Sequence, residues 1–154
     1  MQLASFLDFE ANRTSLAAAN KRALFQSLGQ IAGPRLGLDP AELVAALADR
    51  ERLGSTGFGG GVAIPHGKVA GLRRIYGLVA LLAEPIDYKA IDGGAVDLVF
   101  LLLSPPDAGA DHLKALAAVS RVVRHAPTLE KLRGARSRDA LAAVMMGVDE
   151  PHAV

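Results

Sequence analysis

His66 is the side chain that the sequence best equips for chemistry. It stands in Ile64-Pro65-His66-Gly67-Lys68. Pro65 fixes its own φ and holds Ile64 extended. Gly67 lets the chain turn directly afterwards with no side chain in the way. The imidazole is therefore presented on a stiff backbone at a strand end, open to a partner. An ordinary histidine, with a pKa of about 6.5, is largely neutral at pH 7 and can serve as nucleophile or base. The bland alternative is a loop histidine satisfied by a backbone carbonyl. Ahead of His66, Gly54, Gly57, Gly59, Gly60 and Gly61 crowd a short stretch, and such a loop can bring backbone N–H groups close to an anion. It is not a dinucleotide fingerprint, because Val62 and Ile64 stand where the third glycine belongs. Nor is it a P-loop, since Val69 follows Gly67-Lys68. Ser55 lacks the flanking glycines of a nucleophile elbow.

His112 is the second candidate. It falls in the first turn of a helix that follows Pro105-Pro106, where free N–H groups favour an anion and disfavour an imidazolium. Arg50 falls in the last turn of the second helix, where a cation complements the helix C-terminus. His125 and His152 read as solvated bystanders, and Arg133, Arg136 and Arg138 as a wet surface. His66 and His112 have no HxxxH, HxH or carboxylate cluster beside them, so no metal site is expected.

The composition narrows the function further. The chain has 154 residues, enough for one domain with a full core. With no cysteine, a disulfide scaffold, a Cys-based zinc site and a thiol nucleophile are excluded. A net charge of +1 argues against a dedicated nucleic-acid binder. Aromatics at 5% with no Trp argue against a base-stacking platform. Met1–Glu10 carries no targeting signal. The longest apolar runs, Leu78–Ala83 and Leu98–Leu103, fall far short of a membrane span of about 20 residues. A cytoplasmic protein is the expectation.

The elements that must position these residues follow from periodicity. A first helix begins near Asn20, with Leu24, Phe25, Leu28, Ile31 and Ala32 at helical spacing; Gly33-Pro34 should kink or end it. Asp39 caps a second helix, with Pro40 at its first position and Glu42 three residues after the cap; it runs out near Gly54. Strands are expected over Gly61–Ile64, Ile75–Leu82 and Val96–Leu103, with a short one at Ile86–Tyr88. A third helix starts near Asp111, facing Leu113, Leu116, Val119, Ser120 and Val123 inward. Two more start near Thr128 and Ser137, each a plausible cap. The order predicts an α/β domain, a mixed sheet with helices on both faces.

The run from Arg50 to Lys68 resembles the active-site signature of the fructose/mannitol-type enzyme IIA domains of the phosphoenolpyruvate-dependent phosphotransferase system, most of all the nitrogen-regulatory branch. Glu84-Pro85-Ile86-Asp87, Ala90-Ile91-Asp92, Val96-Asp97-Leu98, Asp111-His112-Leu113 and Asn20-Lys21-Arg22-Ala23-Leu24 extend the likeness over nearly the whole chain, taken as one domain with a core over residues 5–147. The resemblance implies a single-domain sandwich around a mixed sheet of about five strands. It implies that His66 accepts a phosphoryl group from an HPr-like phosphocarrier, that His112 is the second active-site histidine, and that Arg50 lies near the phosphohistidine. Ser55, Thr56, Gly57 and Gly61 match loop positions that shape the pocket, and Gly67 belongs to the signature. No cofactor is implied. Downstream partners would be regulatory targets or a IIB domain. Nitrogen or metabolic regulation, sugar transport, and a protein-binding module switched by phosphorylation are the readings left open. Two positions depart from the pattern: Gly60 stands where Asn is common, and Phe58 where a smaller aliphatic is usual.

Overall fold

The computed structural model describes residues 1–149; His152 lies outside them. Two single helical turns, Leu3–Ser5 and Phe9–Ala11, lead into β1 (Arg13–Leu16), α1 (Lys21–Leu36) and α2 (Pro40–Glu51). Three short strands follow: β2 (Gly57–Gly59), β3 (Val62–Ala63) and β4 (His66–Lys68). The long central strands β5 (Tyr76–Ile86) and β6 (Val96–Ser104) precede α3 (Ala110–Val123), α4 (Ala126–Arg133) and α5 (Arg138–Asp149). The sheet runs β1-β5-β6-β3-β2, with β4 paired to β6 in line with β3. Six segments thus occupy five lanes. The sheet is mixed: β5 and β6 are antiparallel, and β3 and β4 run parallel to β6.

Alternation along β6 divides the core. Val99, Leu101 and Leu103 face α1 and α2, packing with Leu24, Leu28, Leu43 and Leu47. Leu98, Phe100 and Leu102 face the other way, against Val119, Val122, Leu132, Leu141 and Met145. Both faces of β6 are dry because helices cover both. Each such side chain, fully buried, contributes about 1.5–3 kcal/mol, so β6 is a rigid rail for whatever stands at its end.

Local signals explain most boundaries. Asn20 Oδ1 accepts from Ala23 N at 2.9 Å and caps α1, and Asp39 Oδ1 accepts from Ala41 N at 3.0 Å and caps α2. Pro34 does not end α1. The helix passes through it and stops at Gly37, which is left-handed at φ +67°. Pro34 is exposed, so the carbonyl one turn back that loses its donor can turn to water. Ile86 closes β5 rather than opening a separate strand, and Tyr88 is buried outside any strand. Leu113 is not inward: it is 67% exposed, and Ala115, Ala118 and Val122 fill the inner face instead. Thr128 is not a cap but a buried residue of α4, its Oγ1 2.7 Å from His125 Nδ1. Ser137 does cap α5, accepting from Ala140 N at 3.0 Å.

Candidate active site

α2 and β4 meet at the C-terminal end of β6, and Gly67 lets them approach. A Cβ at Gly67 would lie 3.0 Å from the backbone oxygen of Ala46. This close fit brings the last turn of α2 over His66. Arg50 Nε donates to His66 Nε2 at 3.1 Å, and Arg50 Nη1 donates to Gly54 O at 2.9 Å. On the other side of the ring, His66 Nδ1 stands 2.7 Å from Ile64 O. A carbonyl only accepts and a guanidinium only donates. The ring proton therefore sits on Nδ1, and Nε2 keeps its lone pair.

The carbonyl that orients His66 is itself anchored. Ile64 N donates to Thr56 O at 2.9 Å. Buried Thr56 donates its N–H to both Glu51 oxygens, at 3.1 and 3.2 Å, and its hydroxyl to Glu51 Oε2 at 2.5 Å. With that hydrogen committed, the Tyr88 hydroxyl at 2.7 Å donates to Thr56 Oγ1. Lys21 closes the network, donating to Glu51 Oε1 at 2.7 Å with its ammonium 4.4 Å from the Tyr88 ring centroid. Burial opposes the charge on Glu51, but the bonds from Lys21 and Thr56 outweigh it and hold the carboxyl below its usual range.

His112 arrives from the first turn of α3. Its ring centroid is 5.7 Å from that of His66, with the planes tilted by 49°. Its Nδ1 is 2.6 Å from the hydroxyl of Ser104, the fully buried last residue of β6. Burial pushes both histidines below the ordinary imidazole value. Arg50 adds to the push on His66, while Ile64 O and Glu51 resist it. For His112, the charges of His66, Lys68 and Arg50 add to burial. Both shifts favour the neutral ring at pH 7.

The two histidines, Arg50, Gly67 and Lys68 line an open cavity of about 340 Å³, completed by Ala46, Asp49 and Leu53. Of the residues singled out in the sequence, the fold brings Arg50, His66, Gly67 and His112 to this cavity. Ser55, Thr56, Gly57 and Gly61 are not on its wall. Gly57 N donates to Ser55 Oγ, Gly60 N to Asp92 Oδ2 and Thr56 N to Glu51, so these N–H groups are already spent. Gly61 instead abuts the Arg133–Asp97 ion pair. Arg133 is therefore a strut rather than a wet surface residue, and it also donates to Gly60 O at 2.8 Å. A groove of about 740 Å³ lies between the N-terminus and α3, α4 and α5. It is larger, and its one histidine among the described residues, His125, has its Nδ1 2.7 Å from Thr128 Oγ1 with no second histidine beside it. Among the described residues no group of three or more His, Cys, Asp or Glu could hold a metal ion, and no helix is long and apolar enough to cross a membrane.

Three residues of the site carried no clear signal in the sequence. Lys68 could have been found from its place beside His66. Glu51 and Ser104 could not, because their roles arise from contacts that only the folded chain makes.

The geometry can be set beside known proteins. Residues 5–146 match the family model for the phosphoenolpyruvate-dependent sugar phosphotransferase system, EIIA 2. A nitrogen regulatory protein from Bradyrhizobium diazoefficiens is 45% identical over 136 residues, covering 88% of this chain and 89% of the relative. The crystal structure of the nitrogen regulatory protein IIA-Ntr from Neisseria meningitidis superposes with a TM-score of 0.87 at 31% identity, over 93% of this chain and 98% of that one. The complex of mannitol enzyme IIA with phosphorylated enzyme IIB from Escherichia coli matches at a TM-score of 0.74 and 18% identity, over 89% of this chain and 95% of that one, a likeness of fold. The chain belongs to the EIIA type-2 family of the phosphoenolpyruvate-dependent phosphotransferase system.

Proposed function

We propose that this protein is a cytoplasmic histidine phosphocarrier in which His66 Nε2 takes a phosphoryl group from an HPr-like phosphocarrier of the nitrogen-regulatory type. The observation that carries this reading is the pair of hydrogen bonds on His66. Ile64 O holds Nδ1–H, which leaves Nε2 as a lone-pair acceptor engaged by Arg50 Nε, and His66 shares its cavity with the cations Arg50 and Lys68.

The lone pair of Nε2 attacks phosphorus as the P–N bond of the donor phosphohistidine breaks. The bonding pair returns to the donor ring, which leaves as neutral imidazole. His66 keeps its Nδ1 proton throughout, so the phosphorylated ring is an imidazolium and Ile64 O stabilises its charge. As phosphorus arrives, Arg50 exchanges its bond to Nε2 for bonds to the phosphoryl oxygens. Its Nη2 has no partner among the described residues and is free to join. Lys68 adds a second positive charge at the rim. Phosphoryl transfer requires mostly positioning and charge stabilisation, and the fold supplies both.

Leu53 lines the cavity and is 83% exposed, and Leu113, next to His112 in the chain, is 67% exposed. Apolar side chains around a reactive centre suit brief docking of another protein. The names of the relatives favour regulation in nitrogen metabolism over delivery of phosphate to a sugar-specific IIB domain. Incubation with a phosphoenolpyruvate-driven relay should place one acid-labile phosphate on His66. A strain lacking the protein should respond abnormally to nitrogen source and take up fructose and mannitol normally. The opposite pattern would favour the sugar-transport reading.

A further inference from the structure

The two histidines of the cavity are chemically alike in sequence, yet their protein partners differ in kind. His66 Nδ1 meets a carbonyl, which can only accept. His112 Nδ1 meets the hydroxyl of Ser104, which can donate or accept. Burial resolves the ambiguity. Ser104 is 0% exposed, and His112 Nδ1 is the single partner of its hydroxyl among the described residues. If His112 Nδ1–H donated, the hydroxyl hydrogen would have no acceptor and no route to water, and an unmet buried donor is costly. If the hydroxyl donates, both groups are satisfied.

We infer that Ser104 is a positioning residue that fixes His112 as the Nε2–H tautomer, making it a hydrogen-bond donor to the phosphoryl group and disqualifying it as an acceptor. This rests on the reading of the cavity as a phosphoryl site and assigns its two histidines opposite parts. His66 holds its proton on Nδ1 and offers a lone pair from Nε2. His112 holds its proton on Nε2 and offers an N–H. Each assignment is set by an element of the central sheet. Ile64 lies just beyond the end of β3, and Ser104 closes β6, two positions past Leu102, the register partner of His66. A rigid rail therefore fixes both rings, with the hydroxyl supplying the selection at His112.

Nitrogen NMR of the protein labelled in its histidine rings tests this directly, above pH 7 where both rings are neutral. His112 should show a protonated Nε2 and an unprotonated, hydrogen-bonded Nδ1, while His66 shows the reverse. In Ser104→Ala the His112 signals should move toward a mixture of tautomers, and Ser104→Thr, which keeps a hydroxyl, should restore them. The transfer rate of Ser104→Ala should fall about tenfold, the lower end of what losing an orienting partner costs, with the KM for the donor protein unchanged. Nδ1-protonated His112 in the unmodified protein would overturn the inference, as would a Ser104→Ala variant with unaltered tautomer and rate.

A second pair of variants decides the matter even if Ser104→Ala does not fold. Gln carries its terminal amide near the position of Nε2, and Asn near that of Nδ1. His112→Gln should therefore retain more transfer than His112→Asn, and the reverse order would contradict the assignment. The ring signals are read without any phosphate present. If no phosphate ever reaches His66, the functional reading fails while the tautomer result still stands or falls by itself.

Discussion

The segment from Arg50 to Lys68 contains two regions that do different work. Its ends, Arg50 and Glu51 on one side and His66 to Lys68 on the other, converge on the cavity. Its glycine-rich middle, Gly57 to Gly61, turns away toward Asp92, Asp97 and Arg133. A cluster of glycines suggests a backbone cradle for an anion, but here the N–H groups of Thr56, Gly57 and Gly60 are occupied by Glu51, Ser55 and Asp92. The glycines serve geometry instead. Gly57 lets the chain lie against Ala90, where a Cβ would stand 2.5 Å from the Ala90 Cβ, and Gly60 and Gly61 adopt positive φ in the turn. Glycine density near a nucleophile can therefore mark close packing rather than ligand binding. What forms the proposed phosphoryl site is one arginine, two oriented rings and the close approach permitted by Gly67.

This division predicts that substitutions at the ends cost transfer, whereas those in the middle cost stability. Arg50→Ala should show the largest effect. Removing a donor aimed at the developing charge costs about 10²–10³ in rate, and stopped transfer assays should find that loss with the unfolding midpoint nearly unchanged. A loss of less than tenfold would mean that Arg50 only complements the end of α2.

Gly57→Ala should do the reverse. Overpacking against Ala90 should destabilise the fold by about 1–3 kcal/mol, read by urea denaturation, while the rate per folded molecule stays close to the parent value. A large loss of rate in a stable Gly57→Ala protein would return the glycine loop to the catalytic centre.

Acid should act through the histidines. Their pKa values are lowered on folding from an unfolded value of about 6.5. Below that value the unfolded chain binds more protons than the folded one, so stability rises with pH through this window and falls on acidification. Glu51 and Asp8, whose carboxyls are held below their usual range, add a separate loss at still lower pH. Urea unfolding of the parent should weaken between neutral pH and pH 5.5, and His66→Gln should flatten that slope. An identical slope in both would contradict a buried neutral ring at His66.

The smallest effect is expected at Gly60→Asn. Gly60 is left-handed at φ +64°, its missing Cβ would meet nothing within 4 Å, and its bonds to Asp92 and Arg133 use the backbone. Asn tolerates this conformation, so stability should stay within about 0.5 kcal/mol and transfer should not change. The departure at Gly60 is then neutral for the site.

The parts of the fold that the sequence made legible were those governed by local physics. Asp39-Pro40 announces α2, and the apolar runs announce β5 and β6 buried on both faces. β1, β2 and β4 were missed because Arg13–Leu16, Gly57–Gly59 and His66–Lys68 lack an apolar alternation, and a neighbouring strand defines them instead. Pro34 misled because an exposed carbonyl can tolerate a lost donor. Leu113 misled because an apolar residue at helical spacing can still face away from the core, and it is 67% exposed. At the site, the backbone around His66 was readable from Pro65 and Gly67 and His112 from its place in a first helical turn, while the likeness to a family supplied the role of Arg50. Ser104 and Glu51 carried no signal of a role at the site. Both act through residues far from them in the chain or a loop away.

Phosphate mapping after incubation with the phosphoenolpyruvate-driven relay tests the central claim most directly. The account predicts a single acid-labile phosphate on His66 Nε2, absent from His66→Ala and present, though formed more slowly, in His112→Ala. Label that persisted in folded His66→Ala, or that resided on His112 in the parent protein, would contradict it.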